Sequence, residues 1–369
     1  MMNVLYTESS SNIGGQELQA VAQMIALFKA GHRVILACSE HSRISAEARR
    51  YDIPVVHISF RNSLHIPSIL ALRRLIVAFR PEMVVCHSDH DSNIAGITRR
   101  ILFGSSSRFV ILRQKTYMTR NMKMFSLNHM CDVVMVPSEE MRSCLLHKMC
   151  RQSVVVVPPG MNLTALRKQT DEALPEHINA WLKKRTPAPV IVQVGMIRPG
   201  KGHHFILEVL HRLKQRGVHF YWFIVGGGRR EEEARLQAEI EYMEMDDCVL
   251  MCGLLFPVAP LYGIASLMVM PSRNEVFDIA LVEATVCGVP VMASQVGSTV
   301  SIIHHGYSGI LLPPDDRIAW ENALASFFDS SESVQAIVLR GQKEIDGHYS
   351  IDSTVRKLMA LGMRYRNIR

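Results

Sequence analysis

The 369-residue sequence is 48% hydrophobic and 20% charged, a globular balance that excludes a disordered chain and is long enough for two domains. Charge is uneven: residues 1–170 hold 21 Lys and Arg against 11 Asp and Glu, a net of +10, whereas the remainder nets −3. The eight cysteines form no Cys-x-x-Cys pair and sit mostly in apolar runs, which argues against a disulfide framework or metal site and for isolated thiols in a reducing cytoplasm.

Short apolar runs alternate with helical periodicities along the chain. The opening Met-Met-Asn-Val-Leu-Tyr reaches Glu8 before any long apolar run, which predicts a buried first strand over 4–6 and no leader. A helix is expected over 16–30, stopped by Gly31, with further strands over 33–37, 54–58, 83–86, 109–112, 133–136 and 154–157. The polar, proline-punctuated stretch 166–188 reads as the domain linker. A second series of strands follows over 190–194, 221–225, 249–251, 267–270, 289–293 and 309–311.

This alternation predicts α/β architecture: two doubly wound domains, 1–165 and 166–345, with an amphipathic closing helix in 346–369 packing back on the first. Facing each other across a cleft, they would bind ligand at the carboxyl ends of their strands. Residues 248–272 carry no charge and are long enough to span a bilayer. Pro257 and Pro260 would break such a helix, so the stretch reads as strand, loop, short helix (258–265) and strand.

Several motifs carry chemistry. Gly14-Gly15, between the first strand and helix, suits close backbone approach to a phosphate, although G-x-G-x-x-G spacing is absent. Val194-Gly195-Met196-Ile197-Arg198-Pro199-Gly200-Lys201-Gly202 sets two cations, Arg198 and Lys201, at a strand's carboxyl end, where they can hold a diphosphate and stabilise its leaving charge. Gly226-Gly227-Gly228 ends the next strand and would admit a nucleotide. In the segment from Pro271 to Ala284, Glu275 and Glu283 stand eight residues apart, a spacing that on one helix puts both on one face. Glu283 falls in an apolar stretch, where a carboxylate wants a partner such as ribose hydroxyls. His87, with Asp89, His90 and Asp91 beside it, is a candidate on the acceptor side.

Taken together, these segments resemble glycosyltransferase family 4, retaining enzymes of the GT-B fold. The likeness is carried by Gly14-Gly15 with Glu17, Gly31-His32, Pro159-Gly160-Met161-Asn162, Gly195 to Gly202, Gly226-Gly227-Gly228, the E-x-x-x-x-x-x-x-E run from Glu275 to Glu283, and Gly306-Tyr307-Ser308-Gly309. The resemblance implies that Glu283 holds the ribose, that Arg198 or Lys201 holds the diphosphate, and that Glu275 lies near the donor sugar. The donor is expected also to meet Gly14, Gly15, Gly195, Gly226, Phe277, Asp278 and Ile279.

No metal and no other cofactor is implied. The family's arginine after the first glycine of the cationic loop is Met196 here, and Gly-Phe-Gly after the first glutamate is Val276-Phe277-Asp278. Ser298 and Ser301 replace a glycine and a glutamate, and Arg113-Gln114-Lys115-Thr116 lacks a histidine.

The implied reaction moves a hexose from a nucleoside-diphosphate sugar to a glycan or lipid-linked acceptor of lipopolysaccharide or other surface polysaccharide. A sugar-nucleotide epimerase and a non-catalytic GT-B subunit are the alternatives. The basic stretches 72–80, 99–108 and 113–123, with Leu102, Phe103, Met122 and Phe125, suit an anionic membrane face. Nucleic acid is not expected, because no binding motif accompanies the charge.

Overall fold

The computed structural model describes the chain except residues 13–14, 104–108, 118–123, 149–152, 330–331 and 368–369. Gly14, Met122, Arg108, Arg120, Lys123 and Cys150 therefore lie outside the described residues. Runs of Val, Ile, Leu and Met hidden on both faces form the strands, as parallel sheets covered by helices require. The chain divides into two compact units, Met1–Met161 with Tyr349–Arg369, and Asn162–His348.

The first unit carries β1 (Asn3–Glu8), β2 (Arg33–Cys38), β3 (Val55–His57), β4 (Met83–Cys86), β5 (Val110–Gln114), β6 (Val133–Val136) and β7 (Ser153–Val156). They pair in parallel in the order β3-β2-β1-β4-β5-β6-β7. Chain order reverses between β1 and β4, opening a crevice at their carboxyl ends. The helix Ile351–Asn367 completes this unit: Val355, Leu358, Met359 and Leu361 join the core that holds Val4, Met83 and Val110. Gly160, in the Pro-Gly-Met-Asn motif, touches this helix so closely that a Cβ would stand 2.7 Å from Ile351 Cα. Gln19 clamps Gly160 through both its amide N–H (2.9 Å) and its carbonyl (3.0 Å). That motif is thus explained by packing where the chain leaves and re-enters the unit.

The second unit carries β8 (Val190–Val194), β9 (Tyr221–Val225), β10 (Val249–Gly253), β11 (Leu267–Met270), β12 (Val291–Ser294) and β13 (Ile310–Leu312). The order is β10-β9-β8-β11-β12-β13, again parallel, with the switch between β8 and β11. The stretch expected as a linker is instead helical and belongs to this unit, as Leu163–Gln169 and Glu176–Lys183. Ile178 is buried, and the Trp181 ring packs edge-on against Tyr221 and Phe223 at 5.0 and 5.4 Å. Apolar anchors spaced for one helical face outweigh the polar composition there.

Residues 248–272 contain β10, the short helix Ala259–Tyr262 and β11. Among the described residues no helix is long and apolar enough to cross a membrane. Seven cysteines are described, all as free thiols; Cys144 and Cys287 are partly exposed and the rest are buried.

Candidate functional site

In the second unit, the switch point gathers residues that lie far apart in sequence. Lys201 closes the turn Pro199–Lys201 after β8, and its carbonyl accepts a hydrogen bond from Gln193 Nε2 at 2.9 Å. The loop after β11 brings Glu275 to the Lys201 ammonium, forming a short charged hydrogen bond. Glu275 is held through its backbone too: its carbonyl accepts from Ser298 N at 3.1 Å, and a Cβ on Gly297 would stand 1.8 Å from that oxygen. Gly297 adopts φ +49°, so only glycine fits there without strain.

Asp278 begins the helix Ile279–Val286, its Oδ1 accepting from Leu281 N at 3.1 Å. Its Oδ2 is buried without a hydrogen bond, 3.8 Å from Lys201 Nζ. Burial raises the Asp278 pKa, opposed by the Lys201 charge and reinforced by that of Glu275.

The helix starts four residues after Glu275, so Glu275 and Glu283 do not share a helix face as their spacing suggested. Asp278, as N-cap, ends the non-helical loop that holds Glu275, and Glu283 alone lies on the helix. Glu283 meets Tyr262, whose hydroxyl lies 3.5 Å from Oε2 and also reaches Ala280 O at 3.3 Å. Among the described residues no cation pairs with Glu283. Burial, then the Asp278 charge, pushes its pKa up to about 7, against the Tyr262 hydroxyl.

Arg198 is exposed, and among the described residues its guanidinium makes no ion pair. Gly195 and Gly226 end β8 and β9 back to back: a Cβ on Gly226 would stand 2.0 Å from Gly195 O. The glycines are thus required first by the approach of two backbones. Phe277 and Ile279 are partly buried beside Asp278. A cavity of about 900 Å³, lined by Arg185, Lys214, Tyr221 and Asp247, lies elsewhere in this unit, at the strands' amino ends. Ligands of doubly wound sheets sit at the opposite ends, so the charged cluster is the better site.

In the first unit a cavity of about 520 Å³ lies at the switch between β1 and β4, lined by Glu8, Gln16, Ser88, Asp89, Thr116 and Tyr117. Gly15 begins the helix Gly15–Lys29 and also lines it. His87 is buried: its ring stacks on Tyr6, Nδ1 lies 3.2 Å from Thr7 O, and Nε2 has no partner.

Asp91, singled out in the sequence only as a neighbour of His87, is the hub of this unit. Its Oδ1 accepts from Ser88 N, Ser88 Oγ and Ser92 N, and its Oδ2 from His87 N and Thr7 Oγ1. Arg113 is buried between Asp91 (3.6 Å) and Asp89 (3.3 Å).

Two cations expected on a basic surface are therefore internal: Arg113, and Arg99, which grips Asp132 through both nitrogens at 2.5 and 3.0 Å. Lys115 is likewise buried, over the Tyr117 ring at 4.8 Å. Leu102 and Phe103 are half-buried. Arg100 and Phe125 remain exposed, and so does one face of the expected stretch 72–80: on the helix Ile66–Phe79 the residues Ile66, Leu70, Arg73, Arg74 and Val77 point outward.

Two family descriptions match the chain, "Glycosyltransferase Family 4" over residues 13–165 and "Glycosyl transferases group 1" over residues 175–344. The chain belongs to glycosyltransferase family 4. Among curated relatives, the D-inositol 3-phosphate glycosyltransferase of Segniliparus rotundus is 28% identical over 213 residues, 57% of this chain and 46% of the relative. The amylovoran biosynthesis glycosyltransferase AmsK of Erwinia amylovora is 27% identical over 193 residues, 50% and 47% of the two chains. The chain thus spans about half the length of the curated relatives it matches. The structure of Anabaena HepE in complex with UDP is 16% identical, covers 98% of this chain and 99% of its own, and gives a TM-score of 0.81. That likeness establishes the GT-B fold, two Rossmann-like domains. Within the family-4 chain, the residues that motif reading singled out as catalytic meet at one place only in part: Lys201 and Glu275 touch, while Arg198 is at the surface.

Proposed function

We propose that the chain transfers a hexose from a nucleoside-diphosphate sugar to a hydroxyl of a glycan or lipid-linked acceptor, with retention at the anomeric carbon and without a metal. The observation that carries this reading is the cluster of Lys201, Glu275 and Asp278, with Glu283 on the helix that Asp278 caps, at the switch point of the second unit. Glu283 has a carboxylate that meets only the Tyr262 hydroxyl and no cation, suited to two ribose hydroxyls. Arg198 is a cation free to meet the diphosphate as the bond from the anomeric carbon to phosphate oxygen breaks and its electron pair leaves with the diphosphate. The acceptor hydroxyl then forms the new glycosidic bond and gives up its proton.

The names of the relatives, which concern D-inositol 3-phosphate and amylovoran biosynthesis, support a hydroxyl acceptor. Reversible docking on the inner face of an anionic membrane fits the outer face of Ile66–Phe79, which carries Arg73 and Arg74 among apolar residues.

A panel of nucleotide sugars tests the donor. A ligand at 100 times its Kd should add about 2.7 kcal/mol of stability. Arg198→Ala should slow turnover more than it weakens donor binding, and chelator should leave turnover unchanged. No stabilisation by any nucleotide would sink the reading; loss of turnover with chelator would sink its metal-free part.

A further inference from the structure

Asp278 does two things with its two oxygens. Oδ1 caps Ile279–Val286 through Leu281 N, so the N-terminus of this helix is already answered by the chain's own carboxylate. Oδ2 is buried, accepts no hydrogen bond and stands 3.8 Å from Lys201 Nζ. A desolvated carboxylate oxygen without a donor is unfavourable, and native structures rarely leave one so without a reason.

Lys201 does not remove the deficit, because Glu275 takes its ammonium in a closer contact. Nor can Glu275 swing aside easily, since Gly297 and Ser298 fix its backbone. One cation therefore faces two carboxylates, and the cluster nets one negative charge. Such a place repels phosphate and favours a neutral or cationic group that donates a hydrogen bond.

We infer that Asp278 reads the transferred sugar: its Oδ2 accepts a hydrogen bond from a ring hydroxyl or amino group of the donor, and the diphosphate is left to Arg198. The inference rests on the nucleotide-sugar reading above and adds the class of sugar. Neutral and amino sugars fit; a uronic acid, bringing a third carboxylate, does not. It also gives the departing diphosphate a like charge to leave behind, because a nucleotide stripped of its sugar has nothing to donate to Oδ2.

The test is calorimetric titration of the full chain with UDP, GDP, UDP-glucose, UDP-N-acetylglucosamine, UDP-glucuronate and GDP-mannose. Asp278→Ser keeps a capping oxygen and deletes Oδ2. The wild type should bind a neutral sugar nucleotide more tightly than its diphosphate and reject UDP-glucuronate. Asp278→Ser should bind the sugar nucleotide about tenfold more weakly, the loss of a hydrogen bond to a charged group, yet bind the bare diphosphate more tightly. These opposite shifts are the signature, since a merely structural role would move both affinities the same way.

Parallel shifts, or an unchanged ratio, overturn the inference while leaving the donor reading intact. If the wild type binds no nucleotide at all, the donor reading falls and this inference with it. Should Asp278→Ser fail to fold, Asp278→Asn keeps shape and cap, and must still gain diphosphate affinity and lose its rejection of UDP-glucuronate.

Discussion

Both sheets bring carboxylates to the same topological position, the switch between the first and fourth strand of each unit, and treat them in opposite ways. In the first unit the Asp91 carboxylate is saturated with five hydrogen bonds, and the Arg113 guanidinium stands beside it as an ion pair at 3.6 Å. In the second, Asp278 keeps one oxygen without a partner, and Glu283 has only a long contact with Tyr262. A saturated buried carboxylate holds its surroundings in one arrangement, whereas one with an oxygen lacking a donor makes the apo fold less stable and is relieved by a ligand that donates to it.

The comparison is broken most directly at Asp91. Asp91→Ala should destabilise the first unit by about 3–5 kcal/mol, because it leaves Arg113 buried with half its charge partners gone. Hydrogen exchange should show protection lost in β1, β4 and β5 and kept in β8, β9 and β11. Unchanged protection in β1 would mean that the network is ornamental.

Glu283 should behave in the reverse sense. Burial pushes the Glu283 carboxyl up to about 7 in the folded state, above its ordinary 4.5, so between these values the folded state binds more protons than the unfolded state. The stability from this group is present below pH 4.5 and lost as pH rises through 7, by up to ~3 kcal/mol. Glu283→Gln should flatten that slope and raise the melting temperature at pH 8, while costing about 1.5–3 kcal/mol of nucleotide affinity. Wild-type affinity should rise from pH 6 to 8 as the carboxylate ionises. A variant that is both less stable and unchanged in nucleotide affinity would contradict the contrast between the units.

The smallest effect belongs to the surface of the first unit. Arg73→Ala with Arg74→Ala should weaken binding to anionic vesicles by about 1 kcal/mol per residue at low salt and do little in high salt. Nucleotide binding should be untouched. Arg99, despite its place in a basic stretch, is the wrong residue for this experiment: its buried pair with Asp132 makes its loss a folding defect. Wild-type protein that ignores anionic vesicles at low salt would remove the membrane from the reading.

The sequence by itself determined the order of the elements and the family. β4, β6, β8, β9 and β11 were legible to the residue, because strands buried on both faces must be continuous apolar runs. The Glu275–Glu283 segment and the Gly195–Gly202 loop likewise stand out by composition alone.

Only the tertiary structure decided which charges meet. Lys201 and Glu275 are 74 residues apart, and no spacing rule links them until β8 and β11 pair. Asp278 had to be seen as a cap before the two glutamates could be taken off a common helix face. The helices Leu163–Gln169 and Glu176–Lys183 looked like a linker because their composition is polar, while Ile178 and Trp181 reveal themselves only against the sheet they cover. Arg99 and Arg113 looked like surface charge for the same reason. Local pattern records how apolar a stretch is, but the partner that lets a charge be buried comes from elsewhere in the chain, and folding alone brings it near.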